Sequence, residues 1–199
     1  MKYCFYLFCL ALAISSCANS SDYSPKPRGY FRIEYPKKSY QSFKENLHYS
    51  FEYPVYAKMY ADSTDQYQPN WYNLTFPQFN AQLHISYYEF HSKEEFNKLV
   101  EDARKLAFKH TVKATGIDEG RINIPENKVY GIYYTITGNT ASSTQFILTD
   151  STKNFLRAAL YFNEKPQEDS IQPIIDFIKV DIDRMIKTFK WQPIRNSIK

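Results

Sequence analysis

The chain has 199 residues and 43% hydrophobic residues, which is enough for one sizeable core and short for two. Its net charge of +4 is spread along the sequence rather than gathered in a block, which argues against nucleic acid as a partner. The aromatic content of 18%, led by 18 tyrosines, is typical of a Tyr-rich sheet; an exposed aromatic strip that stacks on sugars or on a protein is the alternative.

The chain begins with the pattern of an export signal. Lys2 precedes an uninterrupted apolar run over residues 3–14, and two small residues then lead to Cys17. The run is shorter than the roughly 20 residues that a membrane-spanning helix needs, and its basic start is typical of a secretory signal. The ending resembles a bacterial lipobox, which predicts a signal peptide over 1–16 and a lipid-modified Cys17. An ordinary signal peptide and an uncleaved anchor remain the alternatives.

Cysteine usage agrees with this interpretation. The chain has three cysteines, Cys4, Cys9 and Cys17. The first two lie in the segment that would be removed, and the third would carry the lipid. A protein processed in this way has no thiol left for a disulfide, a thiolate metal site or nucleophilic catalysis.

The next segment, 17–29, is small, polar and contains prolines, which predicts a lipid-anchored tether. Twelve extended residues reach at most ~40 Å, so the tether keeps the folded body close to its membrane. We expect that body to be a single domain over residues 30–192, followed by a C-terminal tail over 193–199.

Alternating apolar and polar residues predict most of the strands. These strands are expected at 31–35, 47–53, 72–76, 81–87, 129–137, 144–149 and 155–162. Two amphipathic helices are expected at 93–110, behind a capping box formed by Ser92 and Glu95, and at 171–189, with Pro173 in its first turn.

The segment 155–162 is apolar on both faces, which indicates a central strand with something packed on each side. We therefore predict an α+β fold in which an antiparallel sheet lies between the two amphipathic helices. Ile178 and Ile182 should be buried, whereas Asp181 and Asp183 are expected on the solvent side of the second helix.

No catalytic, metal or cofactor signature is found. The four histidines, His48, His84, His91 and His110, lack zinc-ligand spacing, and no cysteine can help them. Loop carboxylates such as Asp150 are expected in turn and capping roles. No nucleophile elbow or phosphate-cradling loop occurs, so we expect a protein that is not an enzyme and holds no cofactor.

One segment is not explained by packing, and we call it the basic-aromatic strip. It comprises Lys26, Arg28, Tyr30, Phe31 and Arg32, preceded by two prolines that stiffen the chain. The strip is either a docking surface between the anchor and the body, or a rigid linker whose Phe31 starts the first strand.

The same segment carries a family resemblance. A lipobox cysteine, a short polar stretch and the string Tyr-Ser-Pro-Lys-Pro-Arg-Gly-Tyr-Phe-Arg-Ile-Glu-Tyr-Pro resemble the gliding-motility lipoprotein family GldD of Bacteroidetes. The chain length and the Tyr-rich body with Asn70 and Trp71 extend that resemblance. It implies a cell-envelope lipoprotein required for gliding and for the linked type IX secretion system. It also implies that Cys17 alone is a known functional residue, and that partners are the membrane and other envelope proteins of that machinery.

The order of strands and helices resembles PsbP/Mog1-type α/β/α sandwiches at the level of fold alone. Three functional classes stay open: a non-catalytic assembly factor, a module that binds cell-wall glycan or polysaccharide, and an envelope hydrolase without a local motif. A filled core without a deep polar pocket would favour the first class, and a solvent-exposed row of coplanar Tyr or Trp rings would favour the second. A deep polar pocket with a desolvated carboxylate or histidine would favour the third.

Overall fold

Ten strands and two long helices are found in the part of the chain that the structure describes. This structure, a computed structural model, describes residues 32–43, 47–63, 68, 70–163 and 168–193. The strands are β1 (Tyr40–Phe43), β2 (Tyr49–Pro54), β3 (Lys58–Ala61), β4 (Tyr72–Phe76), β5 (Ala81–Glu89), β6 (Ala114–Ile124), β7 (Val129–Gly138), β8 (Ser142–Thr149), β9 (Asn154–Phe162) and β10 (Lys190–Trp191). The helices are α1 (Lys93–Phe108) and α2 (Glu168–Thr188).

The chain divides into two compact units, Met1–Glu34 and Tyr35–Lys199. Residues 32–39 form no strand, so the strand predicted at 31–35 is wrong for its described part. Pro36 follows directly and has no N–H to donate to a neighbouring strand. The first strand of the second unit begins only at Tyr40.

The larger sheet has seven antiparallel strands in the order β3-β4-β5-β9-β8-β7-β6. Strand β9 lies in the middle, where Leu160 pairs with Leu83 of β5 and Ala158 pairs with Phe146 of β8. Successive residues Phe155 and Leu156, which point to opposite faces, are no more than 1% exposed. The predicted central position of this strand is confirmed.

The two helices pack on opposite faces of this sheet. Tyr88 lies 6.4 Å from Phe155, which belongs to the cluster under α1. The preceding residue, Tyr87, points the other way and lies 5.7 Å from Tyr49, which stacks on Phe189 at the end of α2 at 5.9 Å. The predicted placement of the sheet between the helices is therefore confirmed.

A smaller sheet of order β1-β2-β10 lies on the α2 side. Its strand β2 carries Tyr49 and Phe51, which pack against Phe189, and the last strand pairs Trp191 with Tyr49. The periodicity did not predict β1, β3, β6 and β10. Three of these have four residues or fewer, and β6 is an edge strand with mostly exposed side chains, so an apolar alternation is weak in all of them.

Both predicted helices form, with small differences at their ends. The Oγ of Ser92 accepts the Glu95 N–H at 3.1 Å, while the Glu95 carboxylate accepts the His91 N–H at 2.7 Å. Helix α2 begins at Glu168, so Pro173 lies inside it and not in the first turn. Within the residues described, no helix combines the length and the apolar character that crossing a membrane requires.

Candidate functional site

Most of the residues that the sequence singled out lie outside the described residues. This holds for the signal peptide, for Cys17, for the tether, and for Lys26, Arg28, Tyr30 and Phe31 of the basic-aromatic strip. Arg32 is described, and its side chain is exposed. The assignments to the tether and the strip therefore stay predictions.

The described body contains an open cleft that the sequence did not predict, and we call it the His48 cleft. Two cavities, of about 610 Å³ and 280 Å³, adjoin there because both are lined by His48 and Glu89. The other residues that line them are Lys153, Asn154, Trp191, Gln192 and Pro193 in the larger cavity, and Gln68, Asn70, Trp71, Tyr87 and Tyr88 in the smaller one.

Strand pairing brings these distant residues together. Glu89 at the end of β5 is the register partner of Asn154 at the start of β9. On the other wall, β10 pairs with β2, and the N–H of Gln192 donates to the carbonyl oxygen of His48 at 2.7 Å. The cleft therefore lies where one end of the large sheet meets one end of the small sheet.

Three ionisable side chains meet in the cleft. The Nε2 of His48 lies 3.1 Å from the Oε1 of Glu89, and the Nζ of Lys153 lies 3.6 Å from the same oxygen. Burial lowers the pKa of His48; the Glu89 carboxylate opposes that shift and the Lys153 ammonium adds to it. The imidazole is therefore neutral at pH 7, and one carboxylate balances one ammonium.

Tyr87 lines the smaller cavity and is held in place by its neighbours. Its hydroxyl donates to the Oδ1 of Asn154 at 2.6 Å and lies 3.3 Å from the Oε1 of Glu89, and its ring stacks on the His48 imidazole at 4.8 Å. Burial raises the pKa of Tyr87, with the Glu89 carboxylate adding to the effect. The hydroxyl therefore stays protonated and remains a donor.

The loop that carries Lys153 is held by Asp150. One carboxylate oxygen accepts the backbone N–H groups of Thr152, Lys153 and Asn154 at 2.9, 2.8 and 2.9 Å. Burial alone would raise the pKa of Asp150, but these hydrogen bonds outweigh it and the pKa is lowered. This turn role is the one that the sequence predicted for a loop carboxylate.

Two indole rings line the cleft, Trp71 in the smaller cavity and Trp191 in the larger one, and both are half-buried. The Nε1–H of Trp71 donates to the carbonyl oxygen of Tyr87 at 2.9 Å, and that of Trp191 donates to the carbonyl oxygen of Lys128 at 3.0 Å. Both rings are thus held in place by the backbone. A pair of tryptophans was the available sequence signal, but nothing in the sequence showed that residues 71 and 191 would meet.

The His48–Glu89 pair resembles the base and its orienting carboxylate in a hydrolase. Among the hydrogen bonds between described residues, none joins His48 to a hydroxyl group that could act as a nucleophile. The described residues also contain no group of three or more side chains placed to hold a metal ion.

A second polar cluster surrounds Asp181, and it corrects a prediction. Asp181 is 2% exposed and does not face solvent, whereas Asp183 is exposed as expected. The Oδ2 of Asp181 lies 2.6 Å from the Nζ of Lys38 and accepts the hydroxyl of Tyr56, and its Oδ1 accepts the hydroxyl of Tyr40 at 3.0 Å. The prediction failed because Lys38 before β1, Tyr40 of β1 and Tyr56 between β2 and β3 cover this side of α2.

The polar groups of the Asp181 cluster bind one another and the backbone. Burial lowers the pKa of Lys38, although Asp181 opposes the shift, and the ammonium also donates to the carbonyl oxygen of Phe177 at 2.8 Å. Burial and the hydrogen bond to Asp181 raise the pKa of Tyr40 to about 12, and the pKa of Tyr56 is raised for the same reasons. The cluster ties the segment before β1 to α2, which is a structural role.

Comparisons with known proteins show which family the chain belongs to. No match is found among curated proteins. A solution structure of cyanobacterial PsbP (CyanoP) from Synechocystis sp. PCC 6803 is similar at 12% identity and a TM-score of 0.47, over 79% of this chain and 95% of that one. The model of the gliding motility lipoprotein GldD family matches residues 20–191, and the chain therefore belongs to that family.

Proposed function

We propose that this lipoprotein is a non-catalytic assembly or structural component of the envelope machinery for gliding in Bacteroidetes, and of the linked type IX secretion system. The observation that carries the proposal is the family match, which runs through the tether and nearly all of the folded body. The family relates the chain to gliding motility and to membrane anchoring. The assembly role, the secretion system and the partners go beyond that match.

The anchor in this proposal is lipid on Cys17, with the folded body in the periplasm. Two or more acyl chains, palmitate among them, would hold the protein stably, whereas a single chain would bind only marginally. The tether of about 12 residues would then keep the body within ~40 Å of its membrane. Other envelope proteins of the machinery are its proposed partners.

The polar groups of the body support a non-catalytic role. Both carboxylate oxygens of Asp181 are hydrogen-bonded to side chains elsewhere in the body, which is a structural use of a buried acid. The Glu89 carboxylate is shared between His48 and Lys153, and the hydroxyl beside it, that of Tyr87, is held protonated.

Deletion of the gene, followed by complementation, tests the role. The wild-type chain should restore gliding and secretion, and a Cys17→Ala variant, expressed at the same level, should not restore them. Mass spectrometry should find Cys17 as the acylated N-terminus. Crosslinking in the native envelope should capture other components of the machinery. A deletion strain that glides and secretes normally would overturn the proposal, and an unmodified N-terminus elsewhere would overturn the anchor.

A glycan- or polysaccharide-binding module is the second candidate function. It is favoured by the two tryptophans that line the His48 cleft, together with amide side chains.

A further inference from the structure

We propose that the His48 cleft binds a neutral saccharide, with Trp71 and Trp191 as the aromatic platforms, one in each cavity. This inference rests on the glycan-binding candidate and adds the class of ligand and the residues that bind it. It does not depend on the assembly role. It rests on the shape of the cleft, on its balance of charge, on the fixed indole rings and on the hydrogen-bonding groups that line the cavities.

The shape suits a chain of sugar rings. The larger cavity, about 610 Å³, lies within the range of ~300–1,000 Å³ that is typical of small-molecule sites. The smaller cavity, about 280 Å³, is lined by His48 and Glu89 as the larger one is. A ligand that extends from one cavity into the other would contact both tryptophans, which favours an oligosaccharide over a single ring.

The charges favour a neutral ligand. Glu89 and Lys153 are ion-paired at 3.6 Å, and the pKa of His48 is lowered, so the three groups carry no net charge at pH 7. An anionic ligand would meet the Glu89 carboxylate, and a cationic ligand would meet the Lys153 ammonium. A polyhydroxylated neutral ligand can instead donate to the carboxylate and accept from the ammonium at the same time.

The tryptophans are fixed before any ligand arrives. Both indole N–H groups are already bound to backbone carbonyl oxygens, and each ring makes one edge-to-face contact within the protein, Trp71 with Tyr88 at 5.4 Å and Trp191 with Phe189 at 4.7 Å. The ring surface that remains for a ligand is therefore apolar carbon rather than a polar edge. Sugar rings present apolar C–H faces that stack on such surfaces. Rings that are already immobile lose little conformational entropy on binding, so preorganisation favours affinity.

Amide side chains line both cavities. Gln68 and Asn70 line the smaller cavity. Asn154 and Gln192 line the larger cavity but are already engaged within the protein, because Asn154 accepts from Tyr87 and donates to Asp150, and the Nε2 of Gln192 donates to the Oγ of Ser50. An amide both donates and accepts, as a sugar hydroxyl does, so the two chemistries match without any net charge.

Intrinsic fluorescence tests the inference directly. The chain has two tryptophans, and both line this cleft, so every tryptophan signal comes from the proposed site. Purified protein is titrated with chitotetraose, maltotetraose and laminaritetraose, which are neutral, and with trigalacturonate, which is anionic. A saturable change in emission with at least one neutral probe is expected, with weaker or no binding of trigalacturonate. No response to any neutral probe at millimolar concentration, or tighter binding of the anion, overturns the inference.

Two variants test whether each tryptophan contacts the saccharide. Trp71→Ala and Trp191→Ala each remove one ring and leave the other as the reporter, and each should weaken binding by about 2–10-fold. Tyr60→Ala is the matched control, because Tyr60 is 52% exposed and lies outside both cavities, and its affinity should be unchanged. If an alanine variant does not fold, Trp71→Leu or Trp191→Leu serves in its place, because leucine fills part of the volume without an aromatic ring. Unchanged affinity in folded variants at both positions overturns the assignment.

The same variants separate the inference from the assembly role. Suppose that a folded variant binds no saccharide and still supports gliding. The assembly role then stands, and saccharide binding is not required for it. Failure of the wild-type protein to bind any neutral probe removes the saccharide site, and the complementation result for Cys17→Ala is unaffected.

Discussion

The Nζ of Lys38 lies 2.6 Å from the Oδ2 of Asp181, and this ion pair joins the segment before β1 to the middle of α2. The Asp181 side chain is 1% exposed and that of Lys38 is 27% exposed. The same ammonium lies 3.4 Å from the centre of the Phe177 ring, which adds a cation–π contact. The pair therefore holds a segment near the start of the second unit against α2.

Removal of the buried carboxylate should destabilise the body. Asp181→Ala leaves Lys38 without its counter-ion and leaves the hydroxyls of Tyr40 and Tyr56 without an acceptor. We expect a loss of about 2–4 kcal/mol in the free energy of unfolding, less than for a fully buried pair because Lys38 is partly exposed. Urea denaturation measures it. Asp183→Ala, on the exposed side of α2, is the control and should change stability by about 0.5 kcal/mol or less. Equal effects of the two substitutions would contradict the structural role of Asp181.

The Asp181 cluster should make the protein sensitive to alkali. The pKa of Tyr40 is raised from 10.0 to about 12, and that of Tyr56 is raised in the same direction. Above pH 10 the unfolded chain loses these protons while the native state keeps them, so the free energy of unfolding falls as pH rises from 10 to 12. Lys38, whose pKa is lowered, works in the opposite direction below its ordinary value of 10.5.

Denaturation curves at several pH values measure this slope. Tyr40→Phe and Tyr56→Phe should each make it shallower, because the titrating hydroxyl is gone. Tyr60→Phe, at an exposed site on β3, should leave it unchanged. A slope that is identical in all four proteins would show that these hydroxyls do not titrate as argued.

His48 should titrate below its ordinary pKa of 6.5. Burial is the main cause, the Glu89 carboxylate opposes it and the Lys153 ammonium reinforces it. Glu89→Gln should therefore lower the pKa of His48 further, and Lys153→Ala should raise it. NMR titration of the imidazole protons measures both changes. His84, whose pKa is lowered by burial and by Arg157, is the internal control and should not respond. Shifts in the reverse order would contradict the geometry of the His48 cleft.

Core packing under α2 should depend on its isoleucines. Ile178 and Ile182 are 0% and 1% exposed, which confirms their predicted burial. Ile178→Ala should cost about 2–5 kcal/mol, from the lost apolar contact and the cavity left behind. Val180→Ala, at a position that is 53% exposed, is the control on the same helix and should be nearly silent. Thermal or urea denaturation gives the comparison.

The basic-aromatic strip offers a test that separates a lipid partner from a protein partner. Attraction to anionic headgroups is worth about 1 kcal/mol per basic residue and depends on charge alone, so Arg28→Lys should be silent for lipid. A protein contact uses the planar fork of the guanidinium, so the same change should impair gliding and secretion. Combined Arg28→Ala and Tyr30→Ala should impair both processes in either case. If they remain intact in a folded protein, the strip is a linker.

Local sequence patterns determined the elements that have one apolar face. The strand at Tyr72–Phe76 was predicted with its observed bounds, and the helices at 93–110 and 171–189 were predicted within a few residues. Such elements are readable because burial on one face imposes a period of 2 or 3.6. The short strands and the exposed edge strand β6 were not predicted, because an element that buries little apolar surface shows little alternation of apolar and polar residues.

The positions and partners of the two polar sites are visible only in the tertiary structure. Asp181 stands on a helix whose periodicity placed it toward solvent, and it is buried because a segment about 140 positions earlier in the chain, at Lys38, folds over it. The His48 cleft joins residues from β5, β9 and β10 with His48, which precedes β2, and no spacing in the sequence relates them. The sequence by itself determined both helices, the longer strands other than β6, the central strand and the family. Contacts between residues far apart in the chain depend on strand order and register, which are set when the whole core packs.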